Sequence, residues 1–511
     1  MPSPHDTSIR NPPPSAKTCP EGPGCSRRVR DPADSPPAGR GAAPHTEHVQ
    51  VSRTASAAVT APADPAEPVP YTVASPRLTR LTRRLEQAGT GEHSALTAEF
   101  WTRVEREGTP LIEPLDDDPD HRAVTFLWRG HRATRQVLLL ANGLTDPDDL
   151  AGSLLAPLPG TEIWYLTRRL RADHRGSYRL VADISPGPLP GAEEPLRARL
   201  RGLAAHAAPD PHNRMPLPGR GRSAGSSLFE LPLSPPQPWR EPRPDAPRGT
   251  VERHRSPGAA LGDQHVTWVY RPPSGTAAGP LDVLVLPDGE LWFGALGLAP
   301  TLDALLAERR IPPLLVLAPD TPGPAAWWHV HDTHEGYADF LADELLPWAA
   351  TRWPVTADPR RTVVAGQSLG GTAAVHTCLR RPERFGSALA QSPVPRPAAA
   401  RPPGTRPPGT RPPGARSPAA RPRRDRLPGA PGAAHGEPSW PSQWFAPPHG
   451  DGVRIHLDVA RQDGARVPGP ALHDLLGRCG HTVTWQEFNG GPDYACWRGG
   501  LADGLISLLG S

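Results

Sequence analysis

Cysteine is scarce and odd in number: Cys19, Cys25, Cys378, Cys479 and Cys496 are the five in 511 residues. Their spacing fits neither a zinc site nor a disulfide framework, which suits a reducing compartment. A membrane signal is missing as well. The N-terminus alternates Pro, Ser, Asp and Arg without the apolar core of a secretory signal, and no later stretch approaches the length of a membrane span. An excess of one charge is also lacking. With 56 Lys and Arg against 53 Asp and Glu the formal charge is +3, so nothing global points to nucleic acid or to a membrane. These absences together predict a cytoplasmic enzyme.

Proline and glycine are abundant, with 72 and 50 residues, and they are clustered. Residues 1–75 are rich in Pro, Ala, Ser and charge without a sustained apolar period, and read as a disordered leader. Between about 393 and 441 arginine recurs at Arg396, Arg401, Arg406, Arg411, Arg416 and Arg421, with RPPGT nearly repeated. That insert cannot bury a core and is expected to be extended polyproline II or disordered. Two ordered regions remain. In 76–245 two helical stretches (77–85 and 96–107) precede short strands at 123–128, 136–140, 162–166 and 177–182, the pattern of a β-sandwich. In 246–511 strands alternate with helices, which implies a mostly parallel α/β sheet.

Within that second region Gly366-Gln367-Ser368-Leu369-Gly370 lies between an apolar β-type run (361–365) and a helix-forming run that ends at Pro382. This is the context of a nucleophile elbow, where small flanking residues let a tight turn lift the serine hydroxyl above the sheet edge. The Leu369 N–H, at the start of the helix, can then face a developing oxyanion. Chain order in such a fold is Ser, then Asp or Glu, then His. Asp463 follows the strand 453–459 and is the candidate orienting acid, with Asp458 inside that strand as its rival.

Longer runs carry a family resemblance. They are FWTRVEREGTPLIEP from Phe100, VTFLWRG from Val124, WYLTRRLRADHRGSY from Trp164, Asp210-Pro211-His212-Asn213, PPQPW before Arg240, Pro287-Asp288-Gly289-Glu290, ADFLADELLPWA from Ala338 and DYACWRGGLADGL from Asp493. With the elbow they resemble the ferric enterobactin (enterochelin) esterases across roughly 98–392 and 442–508. The resemblance implies a β-sandwich N-terminal domain and an α/β-hydrolase domain. It also implies cytoplasmic hydrolysis of the trilactone esters of a ferric catecholate siderophore, with iron arriving in the substrate and no cofactor in the protein.

The base departs from the family's pattern. Family members resembling this chain carry Gly-Gly-His-Asp after the last strand, whereas here the turn is Gly490-Gly491-Pro492-Asp493, and no histidine occurs from Thr482 to Ser511. Proline has no titratable group. His481 precedes the last strand and belongs to the opposite end of the sheet. His329, His331 and His334 follow the strand 314–318 and would emerge at the carboxyl edge, so they are the candidates for a substitute base, with ordinary loop histidines as the alternative. They lack helical i, i+4 spacing, and no metal site is assigned. For an anionic substrate, Trp497 with Arg498 and the group Arg168, Arg169, Arg171 and Arg175 are candidate contacts, structural ion pairs being the competing reading. Two further functional readings stay open: a catalytically impaired hydrolase-fold protein that binds a catecholate iron complex, and an esterase or acyltransferase for another lactone.

Overall fold

The structure is a computed structural model that describes residues 72–186, 191, 193–220, 224–258, 265–321, 334–394, 452–461 and 469–510. The leader up to residue 71 and nearly all of the Arg/Pro insert lie outside the described residues, as do His329, His331 and Asp463.

Helix α1 (Pro76–Gln87) starts at a Ser75 cap whose hydroxyl accepts from the Leu78 N–H, with proline at the first helical position. Its Leu78, Leu81 and Leu85 share one buried face and pack with Trp101 and Val104 of α2 (His93–Glu107). Next come β1 (Leu111–Leu115), β2 (Asp118–Arg129), β3 (Gln136–Ala141), β4 (Ala156–Pro157), β5 (Ile163–Arg171), β6 (Arg175–Asp183), α3 (Glu193–Ala204), β7 (Pro216–Leu217) and β8 (Ser226–Glu230). They form two antiparallel sheets in the orders β1-β2-β5-β4 and β3-β6-β8-β7. Val124, Phe126, Leu139, Tyr178 and Phe229 fill the space between them, so this is the expected sandwich. Strand β2 is buried on both sides because Leu127 points outward into α1 and α2. The other outer face is partly covered by α3, whose Leu203 and Ala204 meet Leu138 and Val181.

The second region contributes β9 (Thr250–Ser256), β10 (His265–Arg271), β11 (Asp282–Val285), α4 (Ala299–Ala307), β12 (Leu314–Pro319), α5 (His334–Asp339) and α6 (Leu346–Ala350). It continues with β13 (Thr362–Gln367), α7 (Leu369–Arg380), β14 (Ser387–Gln391), β15 (Arg454–Ala460), α8 (Gly469–Arg478), β16 (Thr482–Phe488) and α9 (Tyr494–Leu509). The eight-stranded sheet runs β16-β15-β14-β13-β11-β12-β10-β9, parallel from β16 to β12 with β10 and β9 antiparallel at one edge. Alternate residues of the central strands enter two separate cores. Val283, Val285, Val364 and Leu457 face α6, α7 and α8, while Leu284, Val316, Val363 and Leu389 face α4 and α9. Helices on both faces of such a sheet make this a three-layer α/β domain, the architecture expected of an α/β-hydrolase. The described residues of both domains lie in one compact unit, Pro62–Ser511.

Candidate active site

The serine of the elbow stands between β13 and α7 with φ 54°, in the left-handed region that a non-glycine residue rarely adopts. A Cβ on Gly366 would lie 2.2 Å from the Gly370 carbonyl oxygen, and only glycine fits there. At Gly370 the expectation needs correction, because a Cβ there would meet nothing nearer than Pro287 Cγ at 3.9 Å. The tightness comes from Gly370's backbone pressing on Gly366. Ser368 is half-buried, and Leu369 opens the helix, where backbone N–H groups have no partner within the helix.

A glutamine fixes the elbow to the neighbouring strands. Gln391, at the end of β14, accepts the Ser368 N–H at its backbone oxygen (2.9 Å) and the Gln367 Nε2 at its side-chain oxygen (3.0 Å). Its own Nε2 donates to Asp458 Oδ2 (2.8 Å) and to the Trp497 carbonyl (2.9 Å). Asp458 lies inside β15 as the sequence predicts, fully buried and engaged by Gln391. Its rival Asp463 lies outside the described residues.

The turn after β11 borders the elbow through Pro287. Asp288 has φ 67° and a buried side chain that accepts from Thr321 Oγ1 (2.7 Å) and pairs with Arg220 of the sandwich domain (2.5 Å). Arg220 also reaches Glu290 at 3.2 Å. Burial, helped by the adjoining Asp320 and opposed by Arg220, raises the Glu290 carboxyl to about 7. Such a turn, next to the nucleophile, is where a second oxyanion donor belongs in this fold.

Pro492 occupies the turn between β16 and α9. The turn is fastened to the sandwich domain: Arg175 N–H donates to the Asn489 carbonyl (3.1 Å), and a Cβ on Gly491 would lie 2.4 Å from the Asn142 carbonyl. Asp493 caps α9 by accepting from Ala495 N–H (2.7 Å), and its other oxygen accepts from Ser177 N–H (3.0 Å) and Asn142 Nδ2 (3.1 Å). Its burial raises its carboxyl, an effect these donors oppose.

The sequence of both domains matches known family models: "Enterochelin esterase, N-terminal" over residues 123–240 and "Putative esterase" over 258–508. The iron(III) salmochelin esterase of Escherichia coli O6:H1 is 33% identical over 82% of this chain and 95% of its own length. The iron(III) enterobactin esterase of Escherichia coli K12 is 30% identical over 75% and 90%. The chain belongs to the enterochelin esterase family. Among solved structures, the ferric enterobactin esterase of Salmonella typhimurium superposes with a TM-score of 0.61 at 25% identity, covering 80% of this chain and 98% of that one. The Shigella flexneri enterobactin esterase, crystallised in the presence of 2,3-dihydroxy-N-benzoyl-serine, gives 0.58 at 25% identity over 80% and 97%.

In this enterochelin esterase-family chain several sequence candidates have structural places. Arg169 pairs with Asp118 (2.7 Å), Arg171 with Asp173 (3.2 Å) and Arg175 with Glu230 (3.0 Å), while Arg168 donates to Thr72 Oγ1 (3.0 Å) and the Gly152 carbonyl (2.5 Å). They hold the sandwich domain together and do not form a basic mouth. Trp497 is buried, with its indole N–H donated to Ser392 Oγ (3.1 Å). Arg498 faces a small cavity beside Gln237, Trp239 and Trp292, where burial and then the neighbouring Arg240 lower its guanidinium to about 10. Neither is placed as a substrate contact. His481 sits at the start of β16, its Nδ1 accepting from Val453 N–H (3.3 Å), away from the elbow as expected. His334 begins α5, while His329 and His331 fall outside the described residues. Among the described residues no group of His, Cys, Asp or Glu could hold a metal ion. Sequence reasoning missed Gln391, Asn142 and Arg220. Each is a polar residue in a strand end or loop whose partner comes from a distant part of the chain.

Proposed function

We propose that the protein is a slow serine esterase that opens the ester bonds of an iron-loaded catecholate trilactone. The strained Ser368 at the carboxyl edge of the sheet, in a chain whose relatives are named iron(III) enterobactin and salmochelin esterases, carries this reading. In it, Ser368 Oγ attacks the ester carbonyl and its proton passes by way of water to the departing alcohol, leaving an acyl-serine that a second water hydrolyses to the free acid and the Ser368 hydroxyl. The Leu369 N–H and the turn after β11 stabilise the oxyanion in both steps. In the intact family pattern Asp463 or Asp458 would orient a histidine base. The position where relatives resembling this chain place that base is Pro492, which accepts no proton, so the reaction relies on positioning and oxyanion stabilisation. Iron enters and leaves with the siderophore. The scarcity of cysteine spacing suited to disulfides supports a cytoplasmic site of action.

Pro492 also favours a second reading, in which the protein binds the ferric complex without turnover. Chromatography of linearised products from ferric enterobactin separates the two. The esterase reading predicts slow product release by the wild type that disappears in Ser368→Ala. Equal release by both proteins would overturn it, and binding without release would favour the second reading.

A further inference from the structure

We propose that the cleft between the sandwich and hydrolase domains binds the anionic iron-catecholate part of the substrate, with Arg179 as its principal cation. This rests on the siderophore reading above and assigns that reading a place for the ligand.

The cleft is about 750 Å³, within the range of sites that enclose a small-molecule ligand. Its position follows from how the sandwich is covered. On the outer face of the β3-β6-β8-β7 sheet, α3 packs on Leu138 and Val181 at one side, and the turn holding Asp493 contacts Asn142 and Ser177 at the other. Between these two covers the sheet surface is open, and Leu140 and Arg179 line it. Tyr494 and Leu291 of the hydrolase domain complete the wall. The ligand would therefore sit beside Asp493 and Tyr494, just after Pro492, and Leu291, in the helical turn that follows Asp288.

The charge balance favours an anion. Arg179 is half-buried on β6 and, among the described residues, no carboxylate pairs with it, unlike Arg169, Arg171, Arg175 and Arg220. Asp493, the acid lining the cleft, is already satisfied by three donors. Arg201 stands at the rim in an exposed 3.4 Å pair with Glu194, a weak contact that an anionic ligand can displace. Iron(III) bound by three catecholate dianions keeps a net negative charge on planar aromatic rings. A guanidinium suits both features, since it carries a fixed positive charge and stacks on aromatic faces.

Equilibrium dialysis of ferric enterobactin against Ser368→Ala protein measures binding without turnover. Adding Arg179→Ala should weaken Kd by about tenfold and Arg179→Glu by more, with the loss shrinking as salt rises. Arg179→Lys should recover part of the affinity, Arg168→Ala should leave it unchanged, and all variants should melt as the parent does. If Arg179→Glu binds within about twofold of the parent, this inference fails while the esterase reading stands. If the parent does not bind and the wild type does not hydrolyse, both fail.

Discussion

Ser368 depends on residues that do not react. Its backbone angle is held by the Gly366 turn behind it and by the Gln391 carbonyl that takes its N–H. The turn on its other side, to which the proposed mechanism gives the second oxyanion donor, depends on Arg220, which comes from the other domain and holds Asp288 in its left-handed conformation together with Thr321. Removing the guanidinium leaves Asp288 buried with one fewer partner, and the turn is expected to shift. Arg220→Ala should lower kcat on ferric enterobactin by about 10²-fold, the scale of a small misplacement of catalytic groups, and Arg220→Lys should restore part of it. An unchanged kcat in steady-state assays would mean that Thr321 alone positions the turn. The serine was legible in the sequence because its neighbours are local. Arg220 and Gln391 were not, because their roles come from contacts across strands and domains.

The helix α9 shows how elements meet at the site. Gly500 and Gly504 lie one turn apart on it, where Cβ atoms would stand 2.0 Å from Asp458 Oδ2 and 2.5 Å from Leu389 Cδ1. These glycines let the helix lie directly on β14 and β15, which brings its Asp493 cap and the Trp497 carbonyl to the carboxyl edge. Gly504→Ala is expected to lower the melting temperature by on the order of 5–10 °C, read by differential scanning calorimetry. An unchanged transition would show that Leu389 and the helix adjust freely. Strands β12, β13 and β15 could be read from the sequence because buried parallel strands are short apolar runs. Strand β9 could not, since its TVERHRS sequence sits at an edge and is largely polar. Helix α9 has no clear apolar stripe because much of its surface is buried, and α3 shows only one fully buried leucine, Leu200.

For the whole molecule, the step from a sandwich to a parallel α/β sheet was legible because the change from short strands to strand–helix alternation is a matter of periodicity, whereas the hydrolase assignment came from the family resemblance. The fastening of the two domains through Arg175, Asn142, Asp493 and Arg220 was not, because each contact joins residues far apart in the chain. Buried histidines give the assembly an acid sensitivity. His174, His376 and His456 are all lowered from 6.5 to about 4, with burial the largest cause. The folded protein keeps them neutral, while the unfolded chain takes up protons at the ordinary value. Their contribution is therefore fully present above pH 6.5 and is lost as pH falls toward 4. His456 is the sharpest test, since among the described residues neither ring nitrogen has a hydrogen-bond partner. His456→Leu should raise the melting temperature relative to wild type at pH 5 and change it little at pH 8. An equal shift at both values would place the effect in packing and not in protonation.

The central claim is that the serine machinery is assembled and lacks its base at position 492. Single-turnover hydrolysis of ferric enterobactin by wild type, Ser368→Ala and Pro492→His tests it most directly. The wild type should retain only what the oxyanion donors and positioning supply, on the order of 10³-fold over water. Pro492→His should increase the rate by several orders of magnitude, in a form abolished by adding Ser368→Ala. Rapid wild-type turnover that Pro492→His does not improve would contradict the account.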